Sequence, residues 1–558
     1  MSRPLPALAS FIVALVFLLQ PVTSCEDSKA DSPSLALASA DQLYRAGKFA
    51  EAETGYRALL KAEPKLVPAQ VGMVRAMLRQ QNIDESLDAV DAALAGQPDS
   101  AALLAAKGDV HFRRGEMSEA ERSYLAAKRL DPREVRARLG LARLDRSFSL
   151  YHQAYDQLRS AHEIAPDDFE VQRAWMQILP RKDRLAAMEA YFAGPHPDDE
   201  AETRGWKEYL EFLRATVEKP VHACRLASNV EQTETKLEPM YASDHRMRGI
   251  GVSARLNAQN VRLLLDTGAG GIMVGRGVAE KAGLMRISSR HYAGIGDKGP
   301  QSGYTAVADS FRVGELEFRD CVIQVIEQST VADQDGLIGA DVFGAYLIDL
   351  DLPRMRLRLS PLPKRPEETV VPKALNSEGE EQAVSERKEG IADEQGLEQK
   401  APASVPKPGP PLPRDRYIAP EMANWTKVFR FSHGMLLWTR VNDSKLMLFA
   451  LDTGSFNNIL SMRAARQLGK VHSEDRLRVR GLSGEVKKVY SSSRANLQFA
   501  HFEQPNSDII TLDLSTMSRQ VGTEVSGLLG LQILQLLDVK LDYRDGLVDF
   551  EYDPKRVR

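Results

Sequence analysis

Two short triplets in this 558-residue chain carry the side chains best suited to chemistry: Asp266-Thr267-Gly268 and Asp452-Thr453-Gly454. A single carboxylate near a turn does little. Two carboxylates held about 3 Å apart cannot both ionise, so they share one proton, and the pair then holds a base and an acid at once. Such a pair can take a proton from water while giving one to a polarised carbonyl. The apparent pKa values belong to the pair, so neither role is fixed on one aspartate by sequence alone. The glycines Gly268 and Gly454 allow a sharp turn that aims backbone N–H groups at the carboxylates. The triplets differ at the next residue, Ala269 in the first and Ser455 in the second. A hydroxyl at Ser455 that donated to its own carboxylate would favour ionised Asp452.

The elements that must position these residues repeat as well. Residues 248–256 alternate like a strand, turn at 257–260 and continue as a second strand into Asp266. Residues 435–438, a turn at 442–444 and residues 446–451 do the same before Asp452. The run Gly336-Leu337-Ile338-Gly339 ends 73 residues after Asp266, and Gly527-Leu528-Leu529-Gly530 ends 78 after Asp452. Each is followed by a short helix-compatible stretch, 340–346 and 531–537, and by a closing hairpin, 348–359 and 539–550. An isolated Asp-Thr-Gly is a weak signal, whereas a whole order of elements occurring twice is a strong one.

This order resembles the retropepsin-like aspartic peptidase fold, with pepsin-like enzymes as its fused two-lobe relatives. The resemblance covers about 246–362 and 428–553. It implies that Asp266 and Asp452 form one catalytic dyad, or that each copy pairs with its equivalent in another chain, and that strands ending in Gly339 and Gly530 buttress their loops. It also implies that Thr267 and Thr453 hydrogen-bond across the pseudo-twofold axis. The family's glycine-bearing flaps are matched by residues 292–299, with Gly294 and Gly296, and by residues 479–484, with Gly481 and Gly484. The implied activity is aspartic endopeptidase cleavage of an extended peptide or protein substrate, with no metal and no organic cofactor.

Upstream, Pro64, Pro98, Pro132 and Pro166 recur every 34 residues, each closing two amphipathic helical stretches. Gly47, Ala52 and Tyr56 stand at the same offsets from their proline as Gly115, Ala120 and Tyr124. Small residues where helices cross, an aromatic beside them and a helix-ending proline resemble the tetratricopeptide repeat over about 35–168. The second unit is degenerate, with Ser86 and Val90 in the small and aromatic places; the fourth is degenerate too. The resemblance implies a concave face open to a protein partner, or else a packing platform for the downstream domains. The expected fold class is therefore multidomain: a helical solenoid over 35–225, then all-β retropepsin-like lobes over 240–362 and 420–558. Residues 363–414, rich in Glu, Lys, Pro and Ser, read as a disordered linker.

Arg3, an apolar run to Val22 and Val22-Thr23-Ser24-Cys25 read as an export signal over 1–24 ending in a bacterial lipobox. Cys25 is then a lipidation site. The expected location is the cell envelope, lipid-anchored and facing the periplasm, with Glu26 favouring the outer membrane; cleavage without lipidation and an uncleaved anchor are the other readings. A net charge of −4 gives no reason to expect nucleic acid. Hydrophobic content of 43% and charged content of 27% are ordinary for a soluble globular protein. Cys224 and Cys321 could pair in an oxidising compartment, but nothing in the sequence brings them together and they read as isolated buried thiols; no Cys/His spacing suggests zinc. A non-catalytic peptide-binding adaptor is the alternative function, because fold does not prove activity.

Overall fold

The computed structural model describes residues 33–218, 224–241, 247–327, 335–366, 413–474, 476–492 and 494–555. The export signal, the Cys25 anchor and most of the 363–414 linker lie outside the described residues. No described helix is long and apolar enough to cross a membrane.

The 34-residue period resolves into four helix pairs. Their second helices, Phe49–Ala62, Ile83–Gly96, Met117–Leu130 and Tyr151–Ile164, each end just before the periodic proline, where the ring forbids another helical turn. Tyr124 shows why the pattern needs small neighbours. A Cβ at Gly108 or Gly140 would lie 2.5 or 2.2 Å from its ring, and its hydroxyl donates to Asp109 at 2.8 Å. In the degenerate second unit Ser86 is also fully buried, and its hydroxyl donates to the Asn82 carbonyl at 2.6 Å.

Three more helices, Phe169–Ile178, Arg181–Ala193 and Glu200–Thr216, turn back over the inner face. Arg75 pairs with Glu170 at 3.0 Å, Arg136 and Arg143 both pair with Asp109 at 2.5 Å, and Arg79 pairs with Glu202. Part of the groove expected for a partner is thus lined by the chain's own ion pairs.

The β region is two lobes joined by one sheet. Strand Tyr346–Asp351 of lobe 1 pairs antiparallel with Asp538–Asp542 of lobe 2, Leu350 opposite Val539. The flanking hairpin strands Arg356–Pro361 and Leu547–Glu551 complete the junction, and fourteen strands form one continuous sheet. A single apolar core runs from Leu263 and Phe318 in lobe 1 to Phe449 and Phe550 in lobe 2.

The solenoid grips both lobes. Phe112, Met117, Leu141 and Leu144 share a core with Phe429, Leu436, Leu448 and Leu528 of lobe 2. Asp415, just after the linker, caps helix Tyr151–Ile164 by accepting from the His152 and Gln153 amides. Lobe 1 is held more lightly: Glu208 accepts from the His291 amide at 3.0 Å, and Glu211 from that of Ser289 at 3.3 Å.

The reading of the two cysteines is corrected. Cys224 and Cys321 are not isolated thiols but a disulfide across 97 residues. The two-residue strand Arg225–Leu226 pairs with Leu316–Ile326, Arg225 opposite Arg319, and so brings Cys224 to Cys321. A pairing that short leaves no periodic trace in sequence.

Candidate active site

Asp266 closes strand Gln259–Asp266 and Asp452 follows strand Leu446–Leu451. Behind the first loop, strand Gly336–Gly339 runs parallel with Leu263 opposite Gly336 and Asp266 opposite Gly339. Behind the second, Gly527–Leu529 runs parallel with Phe449 opposite Gly527. Each of these strands also pairs antiparallel with the strand beyond the loop. Gly339 and Gly530 are obligatory here: a Cβ at either would sit 2.5 Å or less from the neighbouring loop's carbonyl oxygens.

The loops interlock through their threonines. The Thr267 amide donates to Thr453 Oγ1 at 3.1 Å, and the Thr453 amide to Thr267 Oγ1 at 3.0 Å. Thr267 Oγ1 in turn donates to the Leu451 carbonyl at 3.0 Å and Thr453 Oγ1 to that of Leu265 at 2.7 Å. Four reciprocal bonds between buried groups fix the loops face to face, because leaving any such donor unmatched costs more than the bond contributes.

The consequence is that the two carboxyls converge: a Cβ on Gly268 would lie 2.9 Å from Asp452 Oδ1 and 3.3 Å from Asp266 Oδ1. Gly268 donates its amide to Asp266 at 2.8 Å; Gly454 and Ser455 donate theirs to Asp452 at 3.0 and 3.1 Å. Burial lifts both carboxyls above the usual carboxylate range. Asp452 rises furthest, since after burial the largest influence on it is the like charge of Asp266. Asp266 is drawn back by the Gly268 amide, the Asp452 hydrogen bond and His433. The expectation that Ser455 favours ionised Asp452 fails on geometry: its hydroxyl donates to the Asn457 carbonyl at 2.9 Å. Only its backbone amide reaches the carboxylate.

The two segments expected as flaps meet each other. Gly294 and Gly296 lie in the loop between strands Met285–Tyr292 and Gln301–Val313. Gly481 and Gly484 flank the tip of hairpin Val479–Gly481 and Gly484–Val486. The Gly294 amide donates to Ser483 Oγ at 3.1 Å, the Ser483 amide to the Ile295 carbonyl at 3.0 Å, and the Lys298 amide to the Ser483 carbonyl at 2.9 Å. Gly296, at φ +133°, could carry no side chain, since a Cβ would lie 2.3 Å from the Ser483 backbone. Leu482 at the tip and Ala269, the residue after the first triplet, pack against one patch that holds Met240, Tyr292 and Leu337.

Sequence reasoning missed two neighbours. Asp341 accepts the Gly271 amide at 2.9 Å from behind the first loop; its position, two residues past Gly339, is occupied by Gln532 in lobe 2. His433, from the turn before strand Gly434–Val441, lies against Gly270: a Cβ there would be 2.6 Å from His433 Nδ1. Asp341 stands at a fixed offset from a motif glycine and could have been found by aligning the copies. His433 left no signal.

The sequence profile of the aspartyl protease family matches residues 252–342 and again 439–533, and that of the tetratricopeptide repeat matches 71–135. No curated protein sequence matches the chain. Among solved structures, a tetratricopeptide repeat protein from Parabacteroides merdae is 16% identical with a TM-score of 0.24, the match covering 34% of this chain and 75% of that one. A thermophilic repeat protein of Thermus thermophilus is 17% identical with a TM-score of 0.26, over 32% and 99% of the respective chains.

Proposed function

We propose that this chain, built of a tetratricopeptide-repeat solenoid and two aspartyl protease-like lobes, is an exported aspartic endopeptidase. The observation that carries the reading is the convergence of the Asp266 and Asp452 carboxyls on one point beside Gly268, on loops locked by Thr267 and Thr453. A separate binding lobe needs neither carboxylate, and two acids perturbed by burial beside each other are a cost that a catalytic role explains.

The chemistry follows from one proton shared between two acids. The ionised carboxylate removes a proton from a water held between them as that water attacks the scissile carbonyl. The protonated carboxyl gives its proton to the carbonyl oxygen. Collapse of the tetrahedral intermediate then moves a proton to the departing nitrogen, and the dyad returns to its single-proton state. An extended peptide under the paired flaps is held by main-chain hydrogen bonds, with alternate side chains in pockets. Separation of the Ser483 contacts admits it, and their return excludes water. The solenoid recruits the substrate or a protein partner on the exposed part of its concave face.

The Cys224–Cys321 disulfide supports export, since such bonds persist in oxidising compartments. The export signal and Cys25 lipidation complete this reading: an envelope protein, anchored by lipid and facing the periplasm. Palmitate labelling lost in Cys25→Ser tests the anchor.

The activity test uses internally quenched peptides between pH 3 and 8. Asp266→Asn and Asp452→Asn should each reduce cleavage at least a thousandfold, and a mixture of the two should recover nothing. Full cleavage by either variant would end the mechanism. Peptide binding without hydrolysis by the unchanged chain would favour the adaptor reading.

A further inference from the structure

Each lobe closes with a hairpin, and the outer strand of each hairpin has a free side to be covered. In lobe 1 that strand is Arg356–Pro361, and Thr233–Tyr241 lies along it, from Arg356 opposite Lys236 to Leu359 opposite Thr233. In lobe 2 it is Leu547–Glu551, and only the two-residue strand Thr426–Lys427 lies along it, Lys427 opposite Leu547 and Thr426 opposite Val548. The chain before Thr426 turns off through the short helix Pro420–Met422. Asp549, Phe550 and Glu551 are left at the margin of the joined sheet, with no strand beside them among the described residues. The Gly546 carbonyl accepts from the Val428 amide at 3.0 Å, and main-chain direction alternates along a strand, so the Phe550 N–H and C=O also point outward at this margin. A bare edge of this kind is a template for a further strand.

The edge also carries a side-chain pattern. Phe550 is buried in the shared core, with the partly buried Phe502 ring 6.4 Å away. Asp549 and Glu551 lie on the opposite face, where they share one cation, Lys540, at 3.7 and 2.9 Å. Beside them opens a cavity of about 570 Å³ walled by Trp425, Met422, Pro361 and Glu421. Glu421 makes no ion pair among the described residues. Lobe 1 shows what such a margin takes: its covering strand sets Glu234 against Arg356 and, at 3.0 Å, Arg358. In lobe 2 the signs are reversed and the covering strand is missing. We propose that Asp549–Glu551 is a docking edge for a partner protein, which adds an extended segment of the form cation–apolar–cation as the next antiparallel strand. Its two Lys or Arg residues stand opposite Asp549 and Glu551, one of them reaching the cavity beside Trp425 and Glu421. The apolar residue between them lies over Phe550 and Phe502. Main-chain hydrogen bonds give the attachment, and the alternating side chains select the segment. The edge does not depend on the peptidase reading.

The probe is a fluorescein-labelled peptide with Lys-Val-Arg at its centre, titrated by anisotropy against the full chain carrying Asp266→Asn, so that cleavage does not interfere. It should bind saturably and slow amide exchange along Leu547–Glu551. The same peptide with Glu-Val-Glu at its centre should not bind. N-methylation of the central valine removes the main-chain donor without altering the protein, and should abolish binding. Replacing Asp549→Asn and Glu551→Gln together should weaken binding about tenfold, the loss of two cross-strand charge pairs. Trp425→Ala should weaken it in the same direction. Absence of saturable binding overturns the proposal. So does slowed exchange in the cleft at Val479–Val486 in place of the edge, or an unmoved affinity after the double exchange in a protein with an unchanged melting midpoint. The chain itself ends in Arg556-Val557-Arg558. Binding that emerges only when these three residues are removed would make the chain's own tail the occupant and overturn the assignment to a partner.

Discussion

Lobe 1 and lobe 2 solve one problem with different chemistry. Both must hold a tight loop at the end of a strand and keep its backbone groups matched. Lobe 1 does so with a carboxylate: Asp341 takes the Gly271 amide. Lobe 2 uses neutral amides: Asn458 accepts from Gly530 at 2.9 Å and donates to Gln504 and Asn506 at 2.8 and 3.2 Å. The backbone plan and the threonine bridge are duplicated; the charges are not. A fused pair of lobes is free to diverge in this way, because each side answers to a separate stretch of sequence. Symmetry brings the two aspartates together, and the departure from symmetry gives them different surroundings.

The lobes also differ in how they are fastened, which sets the largest expected effect. Only lobe 1 carries a disulfide. In the chain-entropy account, closing a loop near 100 residues is worth about 4–5 kcal/mol. Cys224→Ser should therefore open lobe 1 at a lower temperature than lobe 2, seen as a new early transition in calorimetry. A single unshifted transition would show that the bond bears little load.

The threonine bridge should respond alike from both sides. Thr267→Ala or Thr453→Ala leaves a buried cross-lobe amide unmatched, a loss of about 1–3 kcal/mol, read by urea unfolding. Values differing by more than about 1 kcal/mol would show that the bridge is not reciprocal in energy.

The junction between lobes should weaken as acid is removed. Asp538 is pushed up to about 7, by burial first and then by the hydrogen bond and charge of Asp349, and Asp542 is pushed up to about 6 by burial and Asp545. Groups whose folded pKa is raised add stability in full below their unfolded pKa of about 4, and it is lost as pH climbs through the folded value. The melting midpoint should fall from pH 4 to 8, and Asp538→Asn should flatten the upper part of that slope. A midpoint that rises over this range would contradict the sign.

The smallest effect concerns the lighter grip on lobe 1. Glu208→Gln weakens a half-exposed pair with His291 worth about 0.2–1 kcal/mol. It should speed amide exchange along Met285–Tyr292 while leaving Gly434–Val441 of lobe 2 unchanged.

The repeat period, the doubled Asp-Thr-Gly order and the glycine runs behind it were legible because each is a local pattern written more than once. The solenoid helices end where the prolines predict, and both flap segments are found at loop or hairpin tips. What escaped depends on groups brought together from far apart. Cys224 meets Cys321 through a two-residue strand, and His433 reaches Gly270 across the lobes. The Ser455 hydroxyl was misjudged because a nearby carbonyl competed for it. Composition and spacing describe what a segment prefers, not which distant segment it will touch.

The paired strands Tyr346–Asp351 and Asp538–Asp542 bear on what becomes of a severed molecule. A cut anywhere between residues 366 and 413 would leave the halves knitted by backbone and core, so the nicked protein should still travel as one particle. A half made alone has no such shelter. Its open strand edge would seek a substitute, and the nearest available template is another copy of itself.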